Sequence, residues 1–177
     1  MHWNDFEDHQ PRLAARARER LVGPGVLLVV SLRADGTPRL SPVEPYVLDG
    51  RLLLSMLWDS HKARDLQRDP RLLVHSVVTG RDGGEGELKL RGRAVEVSDR
   101  ELQGHYAAAV SADLGWSPEV GSFHLFEVDV EHVAFLRYDD ETGDQFVTTW
   151  PPGEELVRRG TTATSLGEPE PYADLLS

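Results

Sequence analysis

The sequence predicts a mainly β protein, an antiparallel β-barrel with flanking helices. Short segments rich in Val and Leu are separated by tight-turn pairs such as Asp35-Gly36 and Asp49-Gly50. The connections between the first three segments are too short for the helical crossovers that a parallel sheet needs. We therefore expect about seven antiparallel strands, with helices at the start, after the third strand and after the fifth.

The first part of the chain has the pattern of a helix followed by a three-stranded meander. Gly23 ends the helical pattern, which has one apolar stripe. Pro38, Pro42 and Pro45 cannot donate hydrogen bonds to a β ladder, so the second strand must lie partly at an edge or a bulge. The expected elements are a helix over residues 4–21 and strands over 26–32, 38–48 and 51–57.

The remaining elements follow from capping and alternation patterns. Ser98 and Glu101 have the spacing of a capping box, and Gly92 predicts a bulge. From Pro151 the composition shifts to Gly, Pro, Glu and Thr, which predicts a folded domain over 1–150 and an extended or disordered tail over 151–177. The other expected elements are helices over 60–69 and 98–113 and strands over 72–78, 87–97, 122–138 and 145–150.

The composition argues against several classes of function. The net charge of −11 disfavours a general nucleic-acid binder, which needs a basic face. The absence of cysteine excludes disulfides and thiolate metal sites, and the acidic segment 139–144 lacks the spacing of a calcium loop, so we expect no metal site. No apolar run approaches the length of a membrane span or a signal core, so we expect a cytoplasmic protein that does not bind membranes.

Two cations are predicted to lie where an anion could bind between them. Arg39 falls on the second strand, and Lys62 falls in the first turn of the helix that Asp59 or Ser60 can cap. Free backbone N–H groups and the helix dipole favour an anion at such a position. These features predict a site for a phosphorylated cofactor. The alternatives are a solvated Lys62 and an Arg39 that pairs with Glu44 or Asp35.

Three segments between residues 20 and 100 carry a family resemblance: VLLVVSLRADGTPRLSPVEPYVLDGRLLLSM, SHKARDLQRDPRL and LRGRAVEVSD. They resemble the pyridoxamine 5'-phosphate oxidase-like, or flavin-reductase-type, split β-barrels. The resemblance implies an antiparallel split β-barrel of the FMN-binding type. It also implies a homodimer with two cofactor sites at its interface, each holding FMN or, alternatively, the deazaflavin F420.

The resemblance further implies which residues bind the cofactor. The phosphate would be held by Arg39, Ser60 and Lys62, and the ring system would lie along Ser41, Pro42, Val43, Ser55, Met56 and Leu57. Trp150 and Trp116 are both candidates for a lid over the ring, with core or interface packing as the alternative. We favour Trp150, because it ends the last strand just before the expected tail.

The implied function is an FMN- or F420-dependent oxidoreductase that transfers a hydride to or from a small organic substrate. Two departures from the founding oxidase of the family stand out. His61 occupies a position where that oxidase has a further basic residue, and the Arg-rich strand near the C-terminus of that oxidase is not visible in this sequence. We therefore do not expect oxidation of pyridoxamine phosphate itself. No serine sits in a nucleophile elbow, and no catalytic acid or base is assigned. The alternatives are a non-enzymatic binder of flavin, haem or tetrapyrrole and a scaffold without cofactor. We expect His75 to be a hydrogen-bonded strand residue rather than a haem ligand.

Overall fold

The computed structural model of the chain describes residues 1–173, and it confirms a mainly antiparallel sheet with flanking helices. Within these residues, no helix has the length and apolar character to span a membrane. In chain order the elements are α1 (Trp3–His9), α2 (Pro11–Ala17), a π-helical turn (Arg18–Val22), β1 (Leu27–Leu32), β2 (Pro38–Val43), β3 (Pro45–Leu48), β4 (Arg51–Leu57), α3 (His61–Arg68), β5 (Arg71–Ser76), β6 (Glu87–Glu96), α4 (Arg100–Leu114), β7 (Phe123–Tyr138), β8 (Gln145–Trp150), β9 (Glu154–Thr162) and β10 (Ser165–Pro171).

The long strand β7 joins the two parts of the sheet. Its first residues pair with β4, its last residues pair with β8, and its other edge pairs with β6. The path continues through β5 and β1 to β2, and the sheet is not closed, because β2 pairs only with β1 and β3 pairs only with β4. β2 and β4 therefore lie near each other without sharing a hydrogen-bond ladder.

The expected helix over residues 4–21 is three consecutive helical segments rather than one. Pro11 begins α2, because it lacks a backbone N–H and is tolerated only in the first turn of a helix. The predicted apolar stripe is nevertheless confirmed, since Phe6, Leu13 and Leu21 are all buried. These helical segments pack onto the sheet and complete the main hydrophobic core.

The expected strand over residues 38–48 is divided into β2 and β3 at Glu44. Its three prolines lie on strands that each have one free edge, as predicted from the missing N–H donors. The division places the end of β2 beside β4 while β3 continues the meander, and this arrangement creates the groove described below.

Of two local features around β6, one follows the sequence prediction and one differs from it. The pairing of β6 with β7 shifts register between Arg91 and Gly92, which confirms the predicted bulge. A Cβ at Gly92 would lie 2.3 Å from the carbonyl oxygen of Asp129, so a larger residue does not fit there. The cap of α4 differs from the prediction: Asp99, not Ser98, caps the helix by accepting a hydrogen bond from the backbone N–H of Glu101 at 2.9 Å.

The expected tail over residues 151–177 is wrong for the part that the structure describes. β9 pairs with β8, and β10 pairs with β9, so the sheet continues past residue 150. Val157 is 1% exposed, and the ring of Tyr172 lies 5.1 Å from that of Phe146. The polar composition of this segment predicted a tail, but a strand near a sheet edge needs only one apolar face and can therefore be rich in polar residues. Residues 174–177 lie outside the described residues.

β4 separates two hydrophobic clusters and positions the site. Leu52, Leu54 and Met56 belong to the main core, whereas Leu53 belongs to a second cluster under α4. Because side chains alternate along a strand, Ser55 shares the α4-facing side with Leu53. β4 is therefore covered by the core on one face and by α4 on the other.

Candidate functional site

A groove of about 360 Å³ lies where β2 and β4 approach each other without pairing. Residues of α3 and α4 also line it, so the groove draws on strands and helices that are far apart in the sequence. Its lining consists of Pro42, Glu44, Tyr46, Ser55, Met56, Leu57, Lys62, Tyr106, Val110, Leu114 and Trp116.

Lys62 supplies the positive charge of this groove. Its Nζ lies 3.4 Å from the carbonyl oxygen of Pro42, and it forms no ion pair within residues 1–173. Burial lowers the pKa of Lys62, and the negative charge of Glu44 opposes that shift. Ser60 caps α3 by accepting a hydrogen bond from the backbone N–H of Ala63 at 3.3 Å. Lys62 therefore lies in the first helical turn, where an anion is favoured.

The other basic residues around α3 are already paired. Arg39 Nε donates to Asp65 Oδ2 at 2.6 Å, and Arg68 donates to Oδ1 of the same buried carboxylate at 3.1 Å. Burial alone would raise the pKa of Asp65, but the hydrogen bonds and charges of the two guanidiniums outweigh it and lower that pKa. Arg64 pairs with Asp59. The partner of Arg39 is thus neither of the two carboxylates considered from the sequence.

Four of the six residues expected along the ring system line the groove, namely Pro42, Ser55, Met56 and Leu57. The other two do not. Val43 is 1% exposed and packs in the main core, so only its backbone could contact a ligand. Ser41 lies on β2, where it is paired with Val29 of β1. The strand end at Leu57 is the open part of this wall.

A partly buried hydrogen bond connects the two sides of the groove. Tyr106 of α4 donates its hydroxyl to Ser55 Oγ at 2.6 Å. Burial raises the pKa of Tyr106, so the phenol stays protonated and remains a donor. The α4 pattern in the sequence predicts that Tyr106 points inward, but that pattern contains no signal for its partner. Sequence reasoning therefore missed Tyr106 as a site residue.

Acidic side chains also lie in and beside the groove. Tyr46 donates its hydroxyl to Asp113 Oδ2 at 3.0 Å, and burial together with this carboxylate raises the pKa of Tyr46 to about 12. Glu44, between β2 and β3, is exposed and lines the same groove. The sequence indicates Glu44 only as a possible partner for Arg39, and no local pattern marks Tyr46 as a site residue.

The two candidate tryptophans lie in different places. Trp150 packs on Phe6, with ring centroids 5.4 Å apart, and does not line the groove. Trp116, just after α4, is 57% exposed and lines it. Trp150 was favoured because it precedes the expected tail, but β8 ends beside the N-terminal helices. Of the two tryptophans, Trp116 is therefore the one that lies at the groove.

The family model for pyridoxamine 5'-phosphate oxidase matches residues 13–137. The chain belongs to this family. The match includes every residue that lines the groove. No curated protein matches the sequence.

Solved structures of low sequence identity share the fold. A NimC/NimA family protein from Clostridium acetobutylicum has a TM-score of 0.60 and 16% identity, over 84% of this chain and 99% of that one. A haem-binding protein from Mycobacterium smegmatis has a TM-score of 0.55 and 22% identity, over 76% and 57%. An F420 reductase has a TM-score of 0.53 and 16% identity, over 66% and 94%. At these identities the similarity describes the fold.

Proposed function

We propose that the groove beside Lys62 binds a flavin-type cofactor, FMN or F420, and that the chain is an oxidoreductase acting on a small organic substrate. The observation that carries the proposal is one groove that joins an unpaired lysine at a helix start to an apolar lining that includes Pro42, Leu57 and Trp116. Family membership supports it, as does the similarity to a structure named as an F420 reductase.

Each end of the ligand has a matching set of side chains. Lys62 and the first N–H groups of α3 bind the phosphate through charge-assisted hydrogen bonds. Ser60 Oγ accepts from Ala63, which leaves its hydroxyl hydrogen available for a phosphate oxygen. Arg39 adds positive field while its Nε stays on Asp65. When bound, the cofactor supplies the hydride chemistry.

The ring system lies along β4 in this proposal. Leu57 and Trp116 give an exposed apolar surface, and the Tyr106–Ser55 pair gives one polar anchor that orients the ring. The protein side chains bind the cofactor, orient it and exclude water. No side chain is assigned a proton-transfer step.

We further propose that the chain is a homodimer and that the second copy covers the open side of the groove. Leu40, Leu57 and Trp58 are 62%, 78% and 61% exposed, and β2 leaves one edge unpaired. Exposed large apolar side chains and a free strand edge are both typical of a protein interface.

A haem ligand is less well supported by the groove. No histidine lines it in the part of the chain that the structure describes. His75 is hydrogen-bonded in its strand, as predicted: Nδ1 lies 2.6 Å from the carbonyl oxygen of Ser76, and Nε2 lies 3.2 Å from Glu87 Oε2. These observations favour a flavin-type ligand over a haem held by histidine.

The deciding experiment is an absorption spectrum of the purified protein followed by titration with FMN and with F420. A flavin or deazaflavin spectrum, or saturable binding of either cofactor, supports the proposal. A Soret band on a protein that binds neither cofactor supports the haem alternative. A colourless protein that binds none of these ligands supports the scaffold alternative and contradicts the proposed function.

A further inference from the structure

Two side-chain contacts join β2 to α3. Lys62 Nζ lies 3.4 Å from the carbonyl oxygen of Pro42, and Arg39 Nε donates to Asp65 Oδ2 at 2.6 Å. Lys62 and Asp65 are three residues apart on α3, so their Cβ atoms lie about 5–6 Å from each other on one side of the helix. Arg39 is therefore held about one helical turn from Lys62, on the side of α3 that faces β2.

Asp65 holds Arg39 by a single edge of its guanidinium. The carboxylate is 6% exposed, and its other oxygen accepts a hydrogen bond from Arg68 at 3.1 Å. Arg68 also donates to the carbonyl oxygen of Leu32, so the carboxylate is itself fixed in place. A guanidinium has five N–H donors, and only the Nε of Arg39 is bound within residues 1–173. The terminal Nη groups of Arg39 are therefore free to donate to a ligand.

The carboxylate of Asp65 has two opposite effects on an anion near Lys62. Arg39, Asp65 and Arg68 together carry one net positive charge, since two guanidiniums share one carboxylate. The negative charge of Asp65 weakens the positive field that the anion meets. Its hydrogen bond to Nε, however, fixes the direction of a planar fork whose Nη donors match a phosphate. Removing Asp65 would therefore raise the local positive charge and release Arg39 at the same time.

We propose that Asp65 is a positioning residue, which holds Arg39 so that its Nη groups donate to the cofactor phosphate, and that this orientation outweighs the loss of positive field. The inference rests on the proposed function, in which the phosphate lies at Lys62 and the start of α3. Neither Asp65 nor Arg39 lines the groove along the ring, so their contribution is to the phosphate alone. Asp65 acts only through Arg39 and does not touch the cofactor.

The test compares FMN with riboflavin, which has the same ring system and no phosphate. Both are titrated by flavin fluorescence, at one ionic strength, against the wild type, Asp65→Ala, Arg39→Ala and the double variant. Asp69→Ala is the matched control, because Asp69 also pairs with an arginine, Arg71, but lies at the opposite end of α3 from Lys62. If the wild type binds F420 and not FMN, F420 and its ring portion without the phosphate replace the two flavins.

We expect Asp65→Ala to weaken FMN binding about fivefold and riboflavin binding less than about twofold. A lost charge-assisted contact alone lowers the affinity about tenfold or more, and the removal of a negative charge restores part of it. Starting from Arg39→Ala, the same substitution should no longer weaken FMN binding, because no guanidinium is left to orient. Asp69→Ala should change neither affinity.

A variant that keeps the carboxylate covers the case in which Asp65→Ala does not fold. Arg39→Lys retains the positive charge and can still pair with Asp65, but an ammonium lacks the planar fork that Asp65 orients. We expect Arg39→Lys to lower the ratio of FMN to riboflavin affinity about fivefold. An unchanged ratio would contradict the proposal, because charge alone would then be enough.

Different failures separate this inference from the proposed function. If the wild type binds flavins but a folded Asp65→Ala keeps or raises the ratio of FMN to riboflavin affinity, Asp65 does not position Arg39 for the phosphate, and the proposed function stands. If Asp65→Ala weakens both flavins equally, or weakens FMN as much without Arg39 as with it, the role of Asp65 is structural and the inference is wrong. If the wild type binds neither flavin nor F420, the proposed function is wrong and this inference falls with it.

Discussion

Replacing Lys62 by alanine should weaken cofactor binding without weakening the fold. Lys62 lies in the first turn of α3, where a cation is unfavourable to the helix dipole unless an anion is near. Its one described hydrogen bond is long, 3.4 Å to the carbonyl oxygen of Pro42. We therefore expect the melting temperature of the cofactor-free Lys62→Ala variant to be unchanged or slightly raised.

With the cofactor bound, the same substitution removes a charge-assisted hydrogen bond to the phosphate. Such a bond contributes about 1.5–3 kcal/mol, which corresponds to about one to two decades in Kd. Lys62 is only half-buried, so screening by solvent and salt places the effect toward the lower end of this range. The assay is a fluorescence titration with FMN and riboflavin at one ionic strength, with Lys62→Arg as the charge-conserving control.

Two results would refute this reasoning. If Lys62→Ala binds FMN and F420 as tightly as the wild type, the phosphate lies elsewhere and the groove has been assigned to the wrong part of the ligand. If the variant loses riboflavin as strongly as FMN, Lys62 contacts the ring or maintains the shape of the pocket. Lys62→Arg should retain most of the FMN affinity, because the helix start favours any anion that a nearby cation can reach.

Three further predictions concern assembly and stability. Light scattering at micromolar concentration should give the mass of a dimer, and Leu57→Glu should give a folded monomer; a monomeric wild type contradicts the interface proposal. Deleting residues 153–177 should lower the melting temperature clearly, because it removes the buried Val157 and exposes the core residues that β9 covers; an unchanged value would show that β9 and β10 are dispensable. Asp65→Asn should cost about 2–3 kcal/mol at pH 7, since it leaves Arg39 without its carboxylate. Folding lowers the pKa of Asp65, so its ion pairs stabilise the protein fully above the unfolded pKa of 3.8, and this contribution is lost as the pH falls through the lower pKa of the folded state. The free energies of unfolding of wild type and Asp65→Asn, measured with urea, should therefore converge in acid.

The local parts of the fold were predictable because their signals are local. The turn at Asp49-Gly50, the alternation of β4 and the cap at Ser60 each depend on residues within one or two turns of the chain. The bulge at Gly92 was predictable for the same reason, since a glycine inside a strand marks a close approach of another backbone. The strands after Pro151 were not, because the apolar face of β9 is short and depends on β8 for its partner.

The candidate site was predictable only where one stretch of sequence supplies it. Pro42, Met56 and Lys62 come from two of the segments that carry the family resemblance, Leu57 lies between those two segments, and all four residues line the groove. Tyr106 lies on α4 and Trp116 lies just after the end of α4, and both line the groove. No local pattern connects these residues to β4, since the contact depends on how α4 crosses the sheet.

The alternation of β4 explains why the groove opens where it does. Leu53, Ser55 and Leu57 share the face toward α4, and their surroundings change steadily along the strand. Leu53 is packed under α4, Ser55 accepts the hydroxyl of Tyr106, and Leu57 is exposed. The cover that α4 provides therefore ends between Ser55 and Leu57. Lys62 lies just beyond this strand end, in the first turn of α3. A flat ring laid along this strand end would replace the missing cover on Leu57 while its phosphate reached the first turn of α3.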